Sequence, residues 1–399
     1  MKTRKRKGMF SYIDYKLFIA TFALMIFGSL MIISASMGET DSDINAIAFS
    51  ALKQGAFVLV STIGFFFMCK IPFARLNRGF MKAAYFVILM MLLSTRLFGA
   101  TGGAYAWIKL GSIASIQPSE FAKLFAIIYG ANLFAKNRGE EINRKNIQRY
   151  IFAMVVYVGI VLVWQKDLGS AVVIAVISFI IIMIPDYKGF RDWSFRLMIV
   201  MLLAVAGVLA LLSPWGTNLL KKFDDHYQIL RFLSSANPFE YQYDAGYHLV
   251  MSLISFATGG LFGLGYGKSI HKYMNFPNPT TDFILPVVVE ELGLVFGFIP
   301  IIVLYGMLLI TLIQYCLKSN LTRSRIVFTG TFTYLIVHFI LNVGGVAGLI
   351  PLTGVPLLFI SSGGTSLLSI MCCLGLAESE IIATRRKEDE DNIRPLQKA

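Results

Sequence analysis

GYHLVMSLISFATGGLFGLGYGKSIHKYMNFPNPTTDFILPVVVEELG, residues 246–293, contains both kinds of sequence from which this chain is built. An apolar, glycine-rich stretch (251–267) gives way to a polar excursion, and at Thr281-Asp282 that excursion meets a second apolar run that continues to residue 316. The second run is longer than the roughly 20 residues a helix needs to cross a hydrocarbon core about 30 Å thick. Asp282 therefore sits where a loop meets lipid, and an ionisable group at membrane depth is a candidate functional residue by default. The first stretch is too irregular for a clean span. Its glycines Gly259, Gly260, Gly263, Gly265 and Gly267 permit close backbone approach or positive φ, which predicts a re-entrant or interfacial segment lining a cavity. A dinucleotide-binding loop is excluded because no βαβ context surrounds these glycines.

Working outward, similar apolar blocks recur at 16–36, 51–71, 83–98, 121–136, 150–165, 169–186, 196–213, 284–316, 326–346 and 364–383. Hydrophobic residues make up 56% of the 399 and charged residues only 15%. The chain reads as an all-α polytopic membrane protein of about ten transmembrane helices, with one large outer loop, 214–283, between spans seven and eight. A basic tail (1–15) precedes the transmembrane domain (16–383), and the composition of 384–399 predicts a disordered cytoplasmic tail. The basic N-terminus resembles a secretory signal, but the first apolar core is too long and lacks a convincing cleavage site. Cys69, Cys316, Cys372 and Cys373 lie outside the polar loops and imply no disulfide framework.

Lysine and arginine fix the orientation. Most of the 36 fall in the two tails and the alternate loops that share their side, whereas 37–50 and 347–362 hold none. With both termini in the cytoplasm this is the positive-inside pattern, so the net charge of +13 reports topology and anionic headgroups. No basic run is interleaved with aromatics in a soluble domain, which argues against nucleic acid. Chemistry belongs on the outer side, where the long loop lies.

The outer segments hold the polar constellations. Gln117-Pro118-Ser119-Glu120 opens the fourth span, and Glu120 and Lys123, three residues apart on one helical face, can neutralise one another. Two readings stand: a buried pair that fixes packing, or a substrate-binding pair. Asp167 in QKDLGSA (165–171) is a helix cap or a site residue. Asp282 reads as the cap of the eighth span or as a catalyst, and both can hold at once, because amide donors at a helix start keep a carboxylate ionised. Of Glu290 and Glu291, one is expected to face the bundle interior in a structural hydrogen bond. His226, His248 and His271, near Asp224 and Asp225, match no metal-ligand spacing. A Mg²⁺ ion bridging Asp282 to a substrate diphosphate is the more plausible metal, since Mg²⁺ binds through one or two carboxylates plus phosphate.

GAYAWIKLGSIASIQPSEFAKL (103–124), QKDLGSA, the 246–272 stretch, TDFILPVVVEELG and NVGGVAGLIPLTGVPLLFISSGGTSLL (342–368) together resemble the SEDS family (shape, elongation, division and sporulation) of bacterial cell-wall proteins. The likeness runs from about 16 to 384. It implies a peptidoglycan glycosyltransferase that polymerises lipid II at the plasma membrane and works with a class B penicillin-binding protein and other division or elongation membrane proteins. The wording leans toward the division branch, hence the septum. By the same resemblance Asp282 is the essential carboxylate, Glu120, Lys123 and Asp167 match family motif positions, and Ser361, Gly363, Gly364 and Ser366 lie in the stretch opening the last span. The chain departs from the family at Ala106, which replaces an arginine, and at Lys166, His248, Met251, Leu358 and Ser362.

The chemistry implied is inverting displacement of a lipid diphosphate by a sugar hydroxyl. It needs a base, assigned to Asp282, and positive charge on the leaving group, for which Lys109, Lys123, Arg231, Lys268 and Lys272 are candidates. The rival from another class is a lipid II flippase, against which stand the lack of an internal repeat and the outward clustering of the acids. A scaffold without chemistry and an elongation-type polymerase are the remaining alternatives.

Overall fold

The computed structural model describes residues 8–40, 43–71, 77–101, 103–111, 114–135, 143–185, 227–243, 246–274, 276 and 278–393, with isolated positions between 199 and 221. Most of the expected seventh span, residues 224–226 and the Arg231 side chain lie outside the described residues.

The helix starts follow from the sequence. Asp14 opens α1 (Tyr15–Glu39), its Oδ1 accepting from the amides of Lys16 and Leu17. Asp43, Asn77 and Asn143 cap α2 (Ile44–Lys70), α3 (Arg78–Ser94) and α5 (Arg144–Gly159) in the same way. Pro118 starts α4 (Pro118–Leu133), where its missing N–H costs nothing. Asp167 caps α6 (Leu168–Met183), accepting from Ser170 N at 2.9 Å. The segment expected to form the outer loop, 214–283, contributes α7 (Tyr227–Ala236) and α8 (Tyr247–Gly259), followed by α9 (Ile284–Gly293), α10 (Ile299–Lys318), α11 (Thr322–Val346) and α12 (Gly364–Ile393). Among the described residues, seven helical stretches are long and apolar enough to cross a membrane, and α6 and α8 are shorter apolar helices. The central element is α12, packed against α2, α4 and α11.

Three features depart from the reading of the sequence. A short antiparallel hairpin, β1 (Ile108–Leu110) and β2 (Ala114–Ile116), interrupts the helical architecture, pairing Lys109 with Ser115. The expected disordered tail is helical as far as Ile393. There Arg385 donates to the carbonyls of Tyr12 and Ile13 and pairs with Asp14, which gives the charged turn partners that composition alone does not reveal. The eighth span is broken: α9 ends at Gly293 (φ +71°), and a wide turn, Leu294–Phe298, leads into α10.

That break receives the glycine-rich stretch. Leu264 N and Gly265 N donate to the carbonyls of Glu290 and Glu291 (2.9 and 2.8 Å), while Leu294 N and Val295 N donate to Gly260 O and Leu261 O (both 3.0 Å). A Cβ on Gly263 would collide with the Glu291 carbonyl, so only glycine permits this approach. The segment also dips along α1. Tyr266 Oη donates to Leu30 O, nine residues short of Glu39 or about 13 Å along the helix, whereas Thr280 Oγ1 bonds Glu39 itself. The chain descends and returns as a re-entrant segment, its broken ladder satisfied by protein.

Candidate active site

The loop 353–362, between α11 and α12, touches most of the elements that carry the singled-out residues. Thr353 lies against Gly169, where a Cβ would stand 2.6 Å from the Thr353 carbonyl. Gly354 (φ +70°) faces Asp282: a Cβ there would lie 3.7 Å from Asp282 Oδ2, so bare backbone flanks that oxygen. Asn342 Nδ2 donates to both Asp282 O and Val355 O at 3.0 Å, fixing the carboxylate's main chain to the loop. Tyr305 Oη donates to Leu358 O, and Ser362 N to Thr280 O, closing the loop onto α10 and the outer segment.

Asp282 is half-buried. Helix α9 starts at Ile284 with Phe283 at its N-cap, so Asp282 lies one residue outside the capping position and the helix-cap reading is corrected. Phe283 packs its ring against His248 and Phe276, anchoring the neighbouring residue in an aromatic cluster.

One turn below Asn342, α11 presents His338, and one turn further Tyr334, a spacing that aligns all three on one face. Tyr334 Oη donates to Glu120 Oε2. Lys123 Nζ lies 2.7 Å from Glu120 Oε1 and 3.0 Å from His338 Nε2, and it stands over the Tyr334 ring. His338 Nδ1 is 3.0 Å from Pro356 O. A carbonyl only accepts and an ammonium only donates, so Nδ1 carries the proton, Nε2 receives the Lys123 N–H, and the ring is neutral. Glu120, Lys123, Tyr334 and His338 are all at most 1% exposed. A charge pair so enclosed survives only because every charged end has partners. It is joined to Asp282 through the His338 and Asn342 rungs of α11 and the 355–356 carbonyls.

A second sealed cluster lies beneath the outer segment. Both Glu290 and Glu291 are buried, where one interior carboxylate was expected. Glu290 accepts from Ser269 Oγ, the amides of Ile270 and His271, and His271 Nδ1. Glu291 takes Lys272 Nζ at 2.7 Å, Ser34 Oγ and Gly267 N. Lys272 also donates to Ser34 and to Gly267 O, and its side chain is fully buried. Lys272 is therefore corrected from a candidate diphosphate ligand to a staple between the re-entrant segment and α1.

The remaining candidates divide by exposure. Asp167 is half-buried, capping α6 while its Oδ2 accepts from Gln117 Nε2 at 3.1 Å. Lys109 on β1 and Lys268 in the outer segment are exposed. Ser361 and Ser366 are buried in local bonds, Ser361 Oγ accepting from Leu357 N and Ser366 Oγ donating to Gly363 O. Tyr334, His338 and Asn342 were not singled out from the sequence, although their i, i+4, i+8 spacing, which puts three hydrogen-bonding side chains on one helical face, was the available signal.

A bundle of long apolar helices with sealed ion pairs and a re-entrant segment defines a multi-pass membrane protein. Residues 15–387 match the family model FTSW_RODA_SPOVE, "Cell cycle protein", and the chain belongs to that family. It is 31% identical to the probable peptidoglycan glycosyltransferase FtsW of Bacillus subtilis (strain 168) over 98% of this chain and 96% of that protein. It is 32% identical to the Enterococcus hirae protein of the same name, over 96% of each. Stage V sporulation protein E of B. subtilis is 30% identical over 91% of this chain and 94% of its own length. Among solved structures, a chain from a peptidoglycan synthase complex superposes with TM-score 0.69 at 24% identity, covering 92% of this chain and 97% of that one. Rod shape determining protein RodA of Thermus thermophilus gives TM-score 0.60 at 24% identity, covering 92% and 96%. The last two establish the fold.

Proposed function

We propose that this protein is a peptidoglycan glycosyltransferase that polymerises lipid II at the outer face of the bacterial plasma membrane during cell division, with Asp282 as its base. The names of relatives aligned over nearly the whole chain support the reaction class. The observation that carries the residue assignment is the contrast in burial: Glu120, Glu290 and Glu291 are sealed among partners, whereas Asp282 is partly exposed, fixed through its main chain by Asn342 and flanked by bare backbone at Gly354.

In this reading the acceptor sugar's 4-hydroxyl gives its proton to an Asp282 oxygen as its oxygen bonds the anomeric carbon of the donor. The bond from that carbon to the undecaprenyl diphosphate breaks on the opposite side, inverting the linkage. A general base contributes about 10²–10⁴-fold. Asp282 has the donor chemistry for a Mg²⁺ ion, which would supply charge to the departing diphosphate. Both termini face the cytoplasm, a class B penicillin-binding protein crosslinks the product, and the assembly works at the septum.

The test is polymerisation of labelled lipid II by purified protein with its crosslinking partner in detergent, where no second leaflet exists. Wild type should give glycan ladders and a folded Asp282→Asn protein should not. A fully active Asp282→Asn protein would refute the assignment, and a competent wild-type complex that makes no glycan would favour transport.

A further inference from the structure

We infer that Arg96 is a binding residue for a phosphate ester at headgroup depth, and that the group it holds is the diphosphate of the lipid-linked donor. The inference rests on the glycosyltransferase reading above. Arg96 lies in the tight turn Thr95–Phe98 that ends α3. Its guanidinium stacks 4.3 Å from the Trp164 ring centroid and 5.2 Å from that of Tyr105. Its Nε donates to Trp164 O at 3.0 Å, and among the described residues neither Nη nitrogen has a hydrogen-bond partner. The side chain is exposed.

The platform beneath it is rigid. Gln165 Nε2 donates to Leu92 O and Thr95 Oγ1, Trp164 Nε1 donates to Leu93 O, and Tyr105 N donates to Gln165 O. The turn and the end of α5 are thus tied on both sides of the guanidinium. A stacked, one-edge-anchored guanidinium keeps its remaining N–H fork pre-organised, the geometry that takes phosphate oxygens in pairs. Strand β1 packs beside the turn and adds the exposed Lys109.

Depth and position select the ligand. Trp164 and Trp107 suit the band where aromatic rings meet headgroups, the level of lipid phosphates. From Trp164 the chain runs through the Asp167 cap to Gly169, which abuts Thr353, and the next residue, Gly354, faces Asp282. Arg96 therefore sits at the start of the segment 164–169, whose far end abuts the loop beside the proposed base.

The test uses full-length protein in phosphatidylcholine nanodiscs, with undecaprenyl diphosphate as probe. Arg96→Gln should weaken its Kd about tenfold, the loss of one charge-assisted contact, at an unchanged melting temperature. Arg96→Lys, which keeps the charge without the fork, should fall between. Donor KM should rise in parallel while kcat changes less. Wild-type Kd in a folded Arg96→Gln protein overturns the inference, and if that variant does not fold, wild-type Kd in Arg96→Lys does so. Arg96-dependent retention of phosphatidylglycerol, with the undecaprenyl diphosphate Kd unchanged, assigns the fork to bulk headgroups and also overturns it. Because the probe binds without turnover, an inactive wild type that still binds it through Arg96 sinks only the enzymatic reading.

Discussion

The Glu120–Lys123 pair and Asp282 flank the same loop, held to it by successive turns of α11, yet one is closed and the other open. Glu120 and Lys123 bury their charges among Tyr334, His338 and each other, whereas Asp282 keeps part of its surface exposed beside Gly354. A charge in this fold thus has two settings: closed off from solvent, as at Glu120 and Lys123, it is architecture, and partly exposed, as at Asp282, it is where the proposed reaction puts its base. The same division separates Lys272, closed by Glu291, from Arg96 and Lys109.

The largest expected break in this comparison is Asp282→Asn, which should lower polymerisation about 10²–10⁴-fold, read as glycan yield per unit time. Next is Glu120→Gln, which leaves Lys123 buried without its counter-ion and should cost about 3–5 kcal/mol of stability, read as unfolding in mild denaturant. Replacing both members, as Glu120→Met with Lys123→Met, should recover most of that loss, because removing both charges also removes their desolvation cost. If the double variant is as unstable as the single one, the pair is more than packing.

Asn342→Ala should be milder. It leaves the carbonyls of Asp282 and Val355 without their shared donor, at about 1–3 kcal/mol, and it should lower turnover more than the similarly buried Ser178→Ala, which removes a bond within α6 and one to Tyr150 and touches neither Asp282 nor its loop. The smallest effect belongs to Lys221 and Glu240 in the outer segment, 2.8 Å apart and solvated. The hydrogen bond from Lys221 holds the Glu240 carboxyl below its usual value. Any stabilisation it gives is present at neutral pH and fades as pH falls through the carboxylate range. Solvent screening should make Glu240→Gln indistinguishable from wild type in a melting scan.

Much of this was legible in the sequence. Apolar blocks marked the spans, Pro118 and Asp167 marked the starts of α4 and α6, and the glycines at 259–267 announced the re-entrant segment. What sequence did not carry was closure. Lys272 and Lys268 are four residues apart in one polar stretch, and only packing against Ser34, on α1, separates a sealed ammonium from an exposed one. His338 and Asn342 were hidden for the same reason, since their partners lie on a distant helix and on carbonyls that offer no side-chain signature. The last turns of α12 looked disordered because their charges meet their partners at the far end of the chain.

The most direct measurement takes Asp282→Asn and Glu120→Gln through the same preparation and reads melting temperature and polymerisation rate on each. Asp282→Asn should melt with wild type and fail to polymerise, while Glu120→Gln should melt well below it. An Asp282→Asn protein that polymerises at the wild-type rate, or loses activity only in proportion to lost stability, would contradict the assignment.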